Sequence, residues 1–310
     1  MTGIGSSKKL DEAKKKPDPG ITVIRIFLLS SLWLVYQNSD QVQYVIDWYW
    51  NWLRHTWWYN TVYNETLYVI ALTFPMYLMF RCVDRLGIGA KYKISSGAGN
   101  WEDKGCGETG FETLEYFCIF GFLDTFHVKH YAGVPEGVIA EKRNHWIQIT
   151  RALPENAPML KDIAVHLLLS VVIFDALFFA LHLAFHKSAL FYRIFHKQHH
   201  THDFVNVKVT NRLHFVDRLA TVLTANFGLK VVSAHPLTRS IFTFFYVLVL
   251  ILNHSGLDLP YSYEKIVPWG VIGGPRRHFE HHEYGARYYQ PIFTYLDTML
   301  EWMRQRNKTD

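Results

Sequence analysis

The sequence predicts an all-α fold, a polytopic bundle of membrane helices capped by a histidine-rich domain, and three observations carry that expectation. Hydrophobic residues fill 49% of the 310 positions and aromatic ones 16%, far from the composition of a disordered chain. Several apolar runs approach the ~20 residues needed to cross about 30 Å of hydrocarbon. Twelve of the 17 histidines fall between His182 and His282, and histidine is the side chain that ligates metal or moves protons near neutral pH. The net charge of +5, from 32 Lys+Arg against 27 Asp+Glu, is diluted by aromatics and not gathered into a basic stripe, which excludes a nucleic-acid module.

Residues 1–20 read as a flexible cationic tail, with Lys8, Lys9, Lys14, Lys15 and Lys16 before Pro17 and Pro19 and no cleavable signal behind them. Residues 21–160 hold the N-terminal membrane segments and a polar connecting region. Runs 21–36 and 61–80 read as spans whose single charges, Arg25 and Glu65, lie near the ends, where they can snorkel to the headgroups. Between them, the Trp/Tyr-rich stretch 47–60 is expected to form an interfacial belt on the non-cytoplasmic side. Residues 83–160 are polar apart from a short apolar patch at Phe117 to Leu123 and read as cytoplasmic. The run 163–186 lacks Pro and Gly and reads as a third long helix. Leu219 to Val232 and Ile241 to Leu252 are broken by Gly228, His235 and Pro236, which suggests a hairpin that does not fully span.

This topology does not close. With the Lys-rich tail and the loop after Arg81 on one side, a third crossing delivers His182 to the other. Either the patch near Phe117 forms an extra crossing, the 163–186 helix does not span, or the amino terminus is outside. Cys82, Cys106 and Cys118 form no CxxC pair, so neither a disulfide framework nor a thiolate zinc site is expected.

The histidines of residues 161–303 are ordered. His182 and His186 lie one turn apart on one helical face. His196, His199 and His200, then His278, His281 and His282, repeat an HxxHH spacing that aligns imidazoles. Eight neutral imidazoles exceed what one ion with an open position can use, so two metals are expected. Adjacent residues on a helix point about 100° apart, so His199 and His200 can serve one ion each while the i, i+3 partner His196 completes a set. Imidazole suits iron, copper or zinc, and ligand type does not choose among them.

His254 and His214 are further ligand candidates. His202 and His235 lack a partner at helical spacing and read as surface or loop residues. Asp175, seven residues before His182 and so on the same face, is expected to fix the tautomer of a ligating imidazole, or else to make a substrate or structural hydrogen bond. Asp217 could do the same for His214. Residues 304–310 read as a polar tail.

Together these residues resemble the fatty acid hydroxylase superfamily, which includes sterol methyl oxidases, sterol desaturases, cholesterol 25-hydroxylases and fatty acid 2-hydroxylases. The resemblance covers roughly residues 170–300. It rests on the three histidine boxes, on Asp175 seven residues before the first, on His254-Ser-Gly-Leu-Asp258-Leu-Pro260 and on Tyr295-Leu-Asp297; His214 with Asp217 is similar to the family's HPxE element. Leu183 stands where the family usually has Arg, and Phe215 where it has Pro. The resemblance implies a multi-pass protein of the endoplasmic reticulum membrane with a cytosolic di-metal histidine domain. It further implies two irons, with zinc as an alternative occupant of purified protein, and use of O2 to hydroxylate or desaturate a sterol or fatty acyl substrate. Electrons would come from NAD(P)H through a reductase or b-type cytochrome. The rival reading is a non-catalytic membrane metal-binding protein, or an inactive scaffold that retains the cluster.

Overall fold

The computed structural model describes residues 18–99 and 109–307. The lysines and Pro17 of the expected tail, Cys106 and the last three residues of the polar tail lie outside the described residues. Among those described there is no strand, only isolated bridges such as Lys93 with Leu257.

The main helices are α1 (Pro19–Gln37), α2 (Ser39–Leu53), α3 (Asn64–Arg85), α4 (Thr109–Phe126), α5 (Glu136–Arg143), α6 (Leu160–Lys187), α7 (Phe215–Val231), α8 (Pro236–Asn253), α9 (Pro275–Tyr284) and α10 (Tyr295–Arg306). Four of them, α1, α3, α6 and α8, are long and apolar enough to cross a membrane. Helix α1 buries only Ile21 and exposes Val23, Ile26, Phe27, Leu29 and Leu32, an arrangement stable in hydrocarbon and costly in water.

Side-chain contacts tie the helix ends into two layers. At one end lie the start of α1, the end of α3 and the ends of α6 and α8, which carry His182, His186 and His254; Gly20 abuts Tyr261, and Leu257 packs on Gly89. At the other end Trp50 donates to Pro154 O at 3.3 Å, and Glu65 of α3 forms a bidentate pair with Arg239 of α8, both bonds 2.9 Å. That pairing, with Lys129 and Arg151 also on Glu65, makes a charge tolerable at a helix level where an unpaired one is expensive.

Helix α4 closes the topology. Its first half reaches the histidine end, where Glu115 pairs with Arg218 at 3.6 Å. Its last turn reaches the opposite end, where Asp124 accepts from Thr66 Oγ1 at 2.7 Å. The region containing Phe117 therefore carries the chain across, and 83–160 does not stay on one face as its polarity suggested. Helix α7 crosses back the same way before α8 returns, so the start of α1, the loop after α3 and the histidine domain share one end.

Two other expectations change. Gly228 does not break α7; it is buried where a Cβ would meet Ser170 O of α6 at 2.8 Å, the close approach that small residues allow between membrane helices. The break comes at Val232–His235, where His235 and Pro236 placed it, and α8 beyond it is long enough to span. The Trp/Tyr stretch divides: Trp48, Trp52 and Trp57 are exposed, whereas Trp50 and Tyr59 are buried with Leu53 and Leu237.

Candidate metal centre

The last two turns of α6 carry His182 and His186. The chain then turns at Ser188, whose Oγ accepts from Phe191 N at 3.3 Å, and winds through a single wide π-helical turn, Tyr192–His196, into the helical turn Lys197–His200. Such turns shift side-chain register and recur at functional sites. His254 ends α8. Helix α9, opened by Pro275 and closed by Gly285 in the left-handed conformation (φ 63), contributes His278, His281 and His282.

Nine imidazoles converge in two adjoining groups. His182, His186, His196, His200 and His281 form one, and His199, His254, His278 and His282 the other; within each group the ligand atoms lie within 4.8 Å of one another. Each HxxHH box feeds both. His196 and His200 go one way and His199 the other; His278 and His282 go one way and His281 the other. The i, i+4 pairs stay together, where the sequence had suggested His196 as an i, i+3 partner: in this geometry four residues return closer to the same face than three. The groups touch through His200 and His282, ring centroids 4.6 Å apart.

Four of the Nδ1 protons are committed. His182 Nδ1–H donates to Tyr289 O at 2.8 Å, His196 Nδ1–H to Asp217 Oδ2 at 2.7 Å, His281 Nδ1–H to Arg287 O at 2.8 Å and His254 Nδ1–H to Leu250 O at 2.7 Å. A neutral imidazole holding its proton on Nδ1 presents a lone pair on Nε2. Yet the Nε2 atoms face each other: His182 and His196 at 3.1 Å, His196 and His200 at 3.2 Å, His254 and His278 at 2.9 Å, His278 and His282 at 3.1 Å. In the first of these pairs both rings hold their protons on Nδ1, and lone pairs opposed at this distance repel unless a cation sits between them.

The spacing fits a metal. With metal–nitrogen arms of about 2.0–2.1 Å, neighbouring ligand atoms are about 2.9 Å apart at a right angle and about 3.4 Å at a tetrahedral one. His186 Nε2 and His281 Nε2 are buried with no hydrogen-bond partner among the described residues, a costly state that ligation removes. Burial first, then the neighbouring rings, holds His199, His200, His278, His281 and His282 well below the usual imidazole range, and burial pushes His254 down to about 4. All are therefore neutral at physiological pH, as ligation requires.

Other residues sit elsewhere than their spacing suggested. His214 is in neither group. It caps α7, its Nδ1 accepting from Val216 N at 3.2 Å, because the chain enters α7 there and the first turn needs an acceptor. Asp217 consequently serves His196 and not His214. Asp175 touches no imidazole: it accepts from Ile292 N at 2.8 Å, Phe293 N at 3.1 Å and the Gln290 side chain. It thereby holds the loop whose Tyr289 carbonyl orients His182, while Asp297 grips the same loop through Tyr289 N and Gln290 N at 2.8 and 3.0 Å.

His202 is no bystander: its Nε2 meets His282 Nδ1 at 3.1 Å. His235 is buried against Trp50 and caps α8, accepting from Leu237 N at 3.1 Å. Sequence spacing could not expose His202, Arg287 or Tyr289, because the first acts across 80 residues and the other two act through backbone carbonyls that any residue possesses.

The comparisons agree with this geometry. A family model described as fatty acid hydroxylase matches residues 167–301. Cholesterol 25-hydroxylase of Mus musculus is 34% identical over 160 residues, 52% of this chain and 54% of the relative. The Homo sapiens protein of that name is 31% identical over 160 residues, 52% of this chain and 59% of the relative. A cholesterol 25-hydroxylase-like protein of Danio rerio is 28% identical over 156 residues, 50% and 62% respectively. The chain thus spans a little over half the length of these relatives. No solved structure matches it. The stretch that the family model matches contains all nine converging histidines, Asp217, which braces one of them, and Asp175 and Asp297, which hold the loop behind another, so the similarity to fatty acid hydroxylases covers the whole candidate centre.

Proposed function

We propose that the chain is a membrane-bound di-metal oxygenase that hydroxylates a lipid, with residues 161–303 as its catalytic unit. The observation that carries this reading is the pair of imidazole groups whose ligand nitrogens converge, with the Nδ1 protons of His182, His196, His254 and His281 tied off. Two irons held there would supply activation of O2, with electrons drawn from NAD(P)H through a reductase or b-type cytochrome. His182, His186, His196, His200 and His281 would hold one ion, and His199, His254, His278 and His282 the other. Asp217 and the Tyr289, Arg287 and Leu250 carbonyls keep the rings neutral and aimed, and His202 braces His282.

Position supports the substrate class. The groups sit at the ends of α6 and α8, both apolar enough to span a bilayer, so an acyl chain or sterol ring can reach them along the helices without entering water, and the buried walls exclude water from the reacting carbon. The names of the relatives put a sterol first and hydroxylation ahead of desaturation. Helix α1 starts at the histidine end, directly after the five lysines, which supports a cytosolic face by the positive-inside rule in the endoplasmic reticulum membrane.

The test is metal analysis joined to lipid profiling. Two irons, NADH-dependent O2 uptake and a lipid precursor that accumulates in cells lacking the protein support the oxygenase. Zinc without O2 uptake and an unchanged lipid profile favour a non-catalytic metal-binding scaffold.

A further inference from the structure

Between the end of α8 and the start of α9 the chain runs through ten consecutive uncharged residues, 266–275, Ile-Val-Pro-Trp-Gly-Val-Ile-Gly-Gly-Pro. The cations at both ends of this stretch are clamped to one carboxylate: Lys265 pairs with Asp258, and Arg276 pairs with it at 2.8 Å. At its tip Trp269 is 93% exposed, and its backbone is left-handed, φ 65, followed by Gly270 at φ 62. A bulky residue rarely adopts that conformation, and it persists only where the surroundings over-determine it.

Here they do. Thr294 Oγ1 donates to Gly270 O at 2.8 Å and Gly273 N to Ile292 O at 2.7 Å, and Ile272 bridges Phe293. The turn is thus fastened to the loop that Asp175 holds, and it presents an indole outward at a conformational cost that no protein contact at the ring repays.

The position of this turn names what does. Arg25 of α1 donates to Ile266 O at 2.7 Å and Lys265 O at 3.0 Å. Tyr261 packs so closely on Gly20 that a Cβ there would meet its ring at 2.8 Å. The stretch therefore lies beside the first two turns of α1, at the level where that helix begins to expose Val23, Ile26 and Phe27. Tyr261, Trp269 and Val271 are exposed as well. Tryptophan is favoured at that depth, where its ring is apolar and its N–H still reaches headgroups.

We propose that Trp269 and its turn form an interfacial anchor seated in the bilayer leaflet on the histidine side. Because Gly273, Gly274 and Pro275 lead from the turn straight into α9, the anchor fixes the level of His278, His281 and His282 against the membrane surface. The partner is the phospholipid interface itself, and the proposal needs the protein to be a membrane protein but not to be a hydroxylase.

The full chain in phosphatidylcholine nanodiscs tests it. Cys82, Cys106 and Cys118 are replaced by Ala, a polarity-sensitive fluorophore is attached to Trp269→Cys, and Glu283→Cys, at an exposed position of α9, serves as reference. The label at 269 is expected to be quenched by lipids carrying a nitroxide near the headgroup and protected from aqueous iodide, with the reverse at 283. Iodide quenching at 269 equal to that at 283 overturns the proposal. Protection from both quenchers also overturns it, since the tip then packs on protein. A second variant, Trp269→Gly, suits the left-handed backbone, so its melting temperature in detergent should equal or exceed that of the parent, while the stabilisation conferred by nanodiscs shrinks. A fall in the detergent melting temperature would make Trp269 a packing residue and contradict the anchor.

Discussion

His196 donates its Nδ1 proton to Asp217 Oδ2 at 2.7 Å across 21 residues of sequence, and both side chains are buried. It is the one ring in the two groups braced by a carboxylate; the other hydrogen-bonded Nδ1 atoms meet carbonyl oxygens or, at His282, a second imidazole. A carboxylate in that place fixes the tautomer and raises the basicity of the ligand nitrogen. Asp217→Asn should lower metal affinity by about 10–100-fold while the protein still inserts and folds. Titration of the metal-free protein with a competing chelator measures this, and unchanged affinity would remove Asp217 from the support of the site.

His214 gives the complementary case. Its ring serves the first turn of α7, so His214→Ala should leave metal content unchanged and cost about 1 kcal/mol of stability, the usual worth of a helix cap. His214→Asn, which can cap, should restore the loss. Loss of metal in either variant would return His214 to the ligand set.

Asp175 acts at a distance of one loop. Asp175→Ala leaves the Ile292 and Phe293 amides and the Gln290 side chain without their acceptor, at roughly 1–3 kcal/mol per buried group. It should also release the Tyr289 carbonyl from His182. Protease sensitivity should therefore rise within 285–294 before any change elsewhere, and uniform loss of the whole fold would contradict this localisation.

His235 sets a pH dependence apart from the metal groups. Burial pushes its pKa down from 6.5 to about 4, and its ring is satisfied when neutral, accepting from Leu237 N and donating to Asn156 O. Above pH 6.5 the ring is neutral both folded and unfolded. As the pH falls, the unfolded chain binds the proton first, so stability declines from near pH 6.5 towards pH 4, by about 3 kcal/mol at most. His235→Asn keeps a capping side chain and should flatten this part of the profile; an unaltered slope in that variant would assign the acid sensitivity to other groups.

The three histidine boxes were legible because a 3.6-residue period writes itself into spacing, and the split of His199 from His200 followed from the same geometry. His214 misled because a capping histidine and a ligating one are the same letter. The role of Asp175 was hidden for a related reason: sharing a face with His182 says nothing about a loop more than 100 residues away that comes to rest between them. Helix α4 was legible only as one of three ways to close the topology, because Glu112, Glu115 and Asp124 interrupt its apolar sequence; pairing of Glu115 with Arg218 and of Asp124 with Lys129 and Thr66 is what lets it run the length of the bundle, and pairing is a property of the folded chain alone.

The central claim is that nine histidines make two separate metal positions. Counting metal ions per chain tests it most directly, in the purified protein and in two variants, His182→Ala in the first group and His278→Ala in the second. Two ions per chain are expected for the parent and roughly one for each variant, since each substitution removes a ligand from only one group. A single ion per chain, lost equally in both variants, would contradict the two-position reading.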